Sequence, residues 1–123
     1  MRARVGASPA LRRQLVRWLG DEAREHFGVI YLSKDSRPVG HMVLQVGSVG
    51  RVEVDIPLLL LGGIQLLARG LLLFHNHPWQ SELPSPTDRR ITHRIGKAAE
   101  LVGLRLVDHL VVTRHGCSSV LHP

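Results

Sequence analysis

The sequence predicts an α+β protein, a mixed curved sheet sandwiched by helices, on three observations. Apolar runs of strand length alternate with stretches of helical period; serine-proline and aspartate-x-proline steps mark helix starts; and glycine-rich or polar turns separate the segments. The expected order is helix, three strands, helix, strand, helix, two strands, too interleaved for a bundle or an all-β sandwich.

Ser8-Pro9 opens the first helix, where Leu11, Leu15, Trp18 and Leu19 recur at helical spacing with arginines between them, and Gly20 closes it. His26 to Leu32 reads as a central strand. Lys34 to Pro38 is a turn and Val39 to Val46 the returning strand of a hairpin. Gly47 and Gly50 allow a bend before a short strand over Arg51 to Val54. Asp55 caps a second helix with Pro57 in its first turn; Leu58 to Leu67 is apolar nearly all round, which predicts burial against the sheet or another protomer. Leu71 to Phe74 reads as a buried strand, and Pro78, lacking an N–H, should end it. Ser85-Pro86 starts a third helix that shows Ile91, Ile95, Ala98, Ala99 and Val102 on one side and stops at Gly103. Leu104 to Thr113 is a strand, Arg114 to Gly116 a turn, and Ser118 to Leu121 a last strand, with Cys117 expected in the hairpin turn between them.

With 123 residues the chain is expected to form one domain around one core, residues 1–24 supplying a helix that packs on residues 25–123. Its formal charge is +6, with fourteen of sixteen basic residues arginine, a balance compatible with nucleic acid or an acidic partner. Arg2, Arg4, Arg12, Arg13 and Arg17 form the one concentrated group, read as the solvated face of a helix. No apolar run reaches the ~18 residues a membrane helix needs, so a cytoplasmic location is the default expectation. One cysteine excludes an internal disulfide and any multi-cysteine zinc site.

The chemistry concentrates in residues 75–88, His-Asn-His-Pro-Trp-Gln-Ser-Glu-Leu-Pro-Ser-Pro-Thr-Asp. Side chains alternate along a strand, so His75 and His77 share a face and Asn76 points away. Strand end, loop and helix start gather both histidines and Asp88 around one point. Two imidazoles and a carboxylate suit one Zn²⁺ per chain, with the fourth tetrahedral position left to water as in a catalytic site. The plainer reading is that Ser-Pro-Thr-Asp is a capping box and that the histidines are hydrogen-bonded core residues. His109, inside an apolar strand, reads as a structural imidazole; His26, His41, His93, His115 and His122 are expected at the surface. Trp79 reads either as a lip for an extended peptide or as a weight that packs the loop down.

His75, His77, Pro78, Ser85 and Asp88 match every fixed position of H-x-H-P, six residues, S-x-x-D, and in this the chain resembles the JAB/MPN/JAMM metalloproteases. Asn76, together with Val107 to Val112, is similar to the RadC-like branch. The resemblance covers about residues 22 to 121 and implies a cytidine-deaminase-like JAB/MPN fold. It implies that Glu25, before the apolar stretch His26 to Ile30, is the catalytic general base, and that Ser85 hydrogen-bonds a tetrahedral oxyanion. Too few residues precede Glu25 for the helix-hairpin-helix region usual in RadC proteins, so a stand-alone domain is expected. The start of the second helix has no basic residue where RadC-type proteins often carry one.

The leading expectation is a zinc metallopeptidase or isopeptidase acting on a polypeptide, such as the tail of a ubiquitin-like or carrier protein. The alternative is a RadC-like binding module, associated with nucleic acid or a complex, with little or no catalysis. A nuclease suggested by the letters HNH is disfavoured, since in HNH nucleases those residues are dispersed. Oligomeric state is left open.

Overall fold

Ser8 accepts a hydrogen bond from the Leu11 N–H and Pro9 occupies the first turn, so helix α1 (Pro9–Leu19) starts where capping chemistry places it. The computed structural model describes residues 7–47 and 53–122. After α1 come strands β1 (Glu25–Leu32) and β2 (Pro38–Gly47), helix α2 (Ile56–Gln65), strand β3 (Gly70–Asn76), helix α3 (Pro86–Leu101), and strands β4 (Arg105–Thr113) and β5 (Gly116–Ser119).

The strands form one mixed sheet in the order β2-β1-β3-β4-β5, antiparallel except where β3 pairs with β4. A parallel pair needs a crossover, and α3 supplies it. The N-terminus of α3 therefore lies over the C-terminal end of β3, where His75 and Asn76 sit. All seven residues of β3 are buried, as its leucine run requires of a central strand covered on both faces.

Alternation along the strands sorts residues into two cores. On one face Leu15 and Leu19 of α1 pack with Ile30, Leu32, Leu72, Phe74, Leu110 and Val112. On the other, Phe27, Val29, Tyr31, Leu71 and Leu73 meet Leu59 of α2 and Ile91, Ile95 and Ala99 of α3. Fully burying one such leucine contributes about 2 kcal/mol, so these two layers hold the sheet rigid beneath its C-terminal edge. Gly62 lets α2 approach closely: an added Cβ would collide with the Tyr31 hydroxyl, which donates to the Leu59 carbonyl at 2.7 Å.

Four expectations are corrected. Glu53 and Val54 are not in a strand, while residues 48–52, and with them Gly50 and Arg51, lie outside the described residues, as do Arg2 and Arg4. Helix α2 is not buried all round: Leu59, Gly62 and Gly63 face the core, but Leu58, Leu61 and Ile64 on its outer side stay nearly half exposed. It also stops at Gln65, two residues early, because Leu67 takes a positive φ of 55°. The last strand starts at Gly116, so Cys117 lies within β5, where burial pushes its thiol up to about 11. Among the described residues no helix is long and apolar enough to cross a membrane.

Candidate metal centre

β3 ends at Asn76, yet pairing continues for one more residue through the His77 N–H to the Val112 carbonyl at 3.1 Å. His75 and His77 thus share the α3 face of the sheet. Their Nε2 atoms lie 2.8 Å apart, and the Asp88 carboxylate reaches both, Oδ1 at 3.0 Å from His75 and Oδ2 at 3.2 Å from His77. All three side chains are buried, and one ligand atom from each falls within 4.8 Å of the others.

Asp88 is held by the capping box. Its backbone N–H donates to the Ser85 hydroxyl at 3.0 Å, and its Oδ2 accepts from the Ser85 N–H at 2.7 Å. Capping and membership of the cluster are therefore compatible, since the second carboxylate oxygen remains free to face His75. A negative charge in the first turn is favoured by the helix dipole. Burial alone raises the Asp88 carboxyl, but the neighbouring His75 and His77 imidazoles and the hydrogen bond from the Ser85 N–H outweigh it and hold the group well below the usual carboxylate range.

The hydrogen-bond network assigns the imidazole tautomers. The Thr92 hydroxyl donates its one proton to the Asp88 carbonyl, so toward His109 Nδ1, 2.6 Å away, it must accept. His109 then carries its proton on Nδ1 and offers a bare Nε2 to His75 Nδ1 at 2.7 Å, which donates. Burial, followed by the field of His75, lowers the pKa of His109 well below the ordinary value and keeps it neutral, as this chain requires. His77 Nδ1 faces the Ser81 carbonyl at 2.8 Å and donates to it. Both Nε2 atoms therefore point lone pairs at one place, together with a carboxylate. Three converging acceptors need a cation between them: a proton can serve, and a divalent ion fits the donor set of two nitrogens and one oxygen.

Glu25 begins β1, which runs antiparallel to β3 with Phe27 opposite His75, so Glu25 falls beside His77 on the same face. It is 8 % exposed, and its Oε2 is buried without a hydrogen-bond partner. Burial raises its pKa, offset in part by His75 and His77. A buried oxygen without a hydrogen-bond partner among the described residues suits a carboxylate whose partner arrives with substrate or water. Phe27 stacks on the His75 ring with centroids 6.1 Å apart. Trp79 lies flat on His77 at 4.3 Å and 20°, still half exposed, so it packs the loop onto the site and also forms its rim.

His109 occupies the structural position read from its apolar strand, and His41, His93, His115 and His122 are exposed, with His26 half-buried. Two residues carry roles that sequence reasoning did not assign. Asn76, pointing to the opposite face, accepts from the His26 N–H at 2.7 Å and donates to the carbonyls of Arg24 at 3.0 Å and Glu22 at 3.4 Å. It thereby grips the backbone on both sides of Glu25. Gln80, in the left-handed region at φ 64°, donates to the Gly20 carbonyl and accepts from the Arg114 N–H, tying the loop to two neighbours. The only warning in the sequence was the amide type itself, placed between two histidines and after a tryptophan.

A mixed sheet between helices, with two histidines at the end of its central parallel strand facing an aspartate in the first turn of the crossover helix, is the JAB/MPN arrangement. The chain belongs to the RadC-like JAB domain family, whose profile matches residues 7–122. It is similar to a UPF0758 protein of Coprothermobacter proteolyticus, 38 % identical over 98 residues, which are 79 % of this chain and 41 % of that protein. The chain thus spans less than half the length of that curated relative.

Proposed function

We propose that the protein is a zinc-dependent hydrolase of amide bonds, a peptidase or isopeptidase of the JAMM type. The observation that carries this reading is the convergence of the His75 and His77 Nε2 lone pairs and the Asp88 carboxylate, fixed in that state by His109, Thr92 and Ser81. His75, His77 and Asp88 would hold the zinc, which when bound supplies Lewis acidity and makes water nucleophilic near neutral pH. Glu25 takes the proton of the attacking water at its carboxylate and returns it to the leaving amine, a role that suits a buried carboxylate of raised pKa. The Ser85 hydroxyl oxygen accepts from the Asp88 N–H, which leaves its own hydrogen for an oxyanion, an interaction worth ~3 kcal/mol of barrier in comparable sites. The half-exposed Trp79 lines the approach of an extended chain, and the substrate is the tail of a ubiquitin-like or carrier protein. A cytoplasmic setting accords with the single free Cys117.

Elemental analysis of untagged protein beside His77→Ala tests the centre. About one zinc per chain is expected in the wild type and far less in the variant. Glu25→Gln should keep the metal and lose hydrolysis of peptide and isopeptide substrates. Absence of metal from zinc-supplied wild type would refute the proposal. Metal retention with no turnover on any such substrate would favour a binding module.

A further inference from the structure

Beside α3, lined by none of His75, His77 and Asp88, runs an open groove of about 810 Å³ between the helix and the β4–β5 side of the sheet. Its floor is aliphatic, formed by Leu104, Leu106 and Val120. Its rim is cationic: Arg89 and Lys97, eight residues apart on one side of α3 with His93 midway, face the groove together with Arg105 at the start of β4. Glu100 is the one carboxylate at the rim. Among the described residues none of the side chains of Arg89, Lys97 and Arg105 has an ion-pair or hydrogen-bond partner, although Arg114 and Arg90 elsewhere on the surface do.

We propose that this groove binds an acidic segment of a polypeptide partner, its carboxylates on the rim and its aliphatic side chains on the floor. Charge complementarity selects the sign of the partner, and the net charge of +6 disfavours a second copy of this chain. The floor selects the class. No tryptophan, tyrosine or phenylalanine lines the groove, so single-stranded nucleic acid would find only His93 and the arginine planes on which to stack its bases, whereas leucine and valine side chains would find an apolar floor. The groove starts one residue after Asp88, and its wall includes Thr92, which hydrogen-bonds His109 behind His75. A segment lying along α3 therefore leads toward the end of the helix where the metal centre sits. Binding itself stands apart from turnover; only the delivery of this segment to the centre rests on the hydrolase reading above.

The test is fluorescence anisotropy of a short labelled peptide alternating glutamate with leucine, titrated with the full chain at several salt concentrations. Lys97→Glu combined with Arg105→Glu should weaken binding by about tenfold or more, and the milder alanine pair by about threefold, since each exposed ion pair is modest. Arg13→Glu combined with Arg17→Glu, which changes net charge equally on exposed positions of α1, should leave affinity within about twofold. Zinc content, measured in parallel, should be unchanged in all of them. Equal weakening by the α1 pair would overturn the proposal, as would preference for a labelled single-stranded oligonucleotide over the peptide at matched charge. Peptide binding that is lost with the groove charges while no protein hydrolyses any substrate would support the groove and count against the hydrolase reading.

Discussion

Replacing Asn76 by alanine should loosen the start of β1 without touching a single member of the metal cluster. The side chain is 1 % exposed and makes two good hydrogen bonds, from the His26 N–H and to the Arg24 carbonyl, plus a longer one to Glu22. Each good bond contributes about 1 kcal/mol net, and leaving a shielded backbone group bare adds about 1 more, so Asn76→Ala should cost about 2–3 kcal/mol. Equilibrium urea unfolding reads this as a lower midpoint at unchanged slope. Because the gripped carbonyl and N–H flank Glu25, the variant should also lose turnover by about tenfold or more while retaining zinc, as expected when a catalytic group is misplaced. Asn76→Asp separates bonding from size. It keeps an acceptor for His26 but turns an acceptor toward the Arg24 and Glu22 carbonyls, so it should be at least as unstable as the alanine variant. A loss below about 0.5 kcal/mol for Asn76→Ala, in protein that still folds and binds metal, would refute the grip on Glu25.

Glu25→Gln should stabilise the metal-free protein at neutral pH. Burial raises the folded pKa of Glu25, so its contribution is intact below the ordinary carboxylate value and is lost as pH rises through the raised folded one; the gap between variant and wild type should close in acid, which thermal unfolding in chelator would show. His109→Leu removes the acceptor that holds the His75 proton on Nδ1 and should lower zinc affinity by about 10–100-fold in chelator competition, whereas His109→Gln, still able to accept, should lose less. Ser85→Ala should show two separable losses, about 1 kcal/mol in unfolding from the missing cap and on the order of 10²-fold in kcat; a kcat equal to wild type would leave Ser85 a cap alone.

Most of the fold was legible because its signals are local. Ser8-Pro9, Asp55-Ile56-Pro57 and Ser85-Pro86 each cap a helix through a side chain three residues from its donor, and the leucine run of β3 needs no knowledge of its neighbours. The convergence of His75, His77 and Asp88 was legible for the same reason, since strand alternation and a capping box suffice to aim these three side chains at one point. The partial exposure of α2 was not legible: a helix apolar on every side carries no mark of which face the sheet will cover, and Leu59 differs from Leu58 and Leu61 only by its place in the packing.

What escaped the sequence altogether is the support of the site. His75 is aimed by His109, Thr92 and the Asp88 carbonyl in series, and Glu25 by Asn76 across some fifty positions of chain. Hydrogen bonds from a side chain to a distant backbone leave no period and no spacing rule. Yet the position of Asn76 has a physical logic. On a strand whose two neighbouring side chains point into the candidate metal centre, the residue between them must point the other way. That places its amide beside the first residues of β1, the one stretch of backbone that carries Glu25. A single strand end thus sets the ligands on one face and, through the other, the proton acceptor that the proposed chemistry requires.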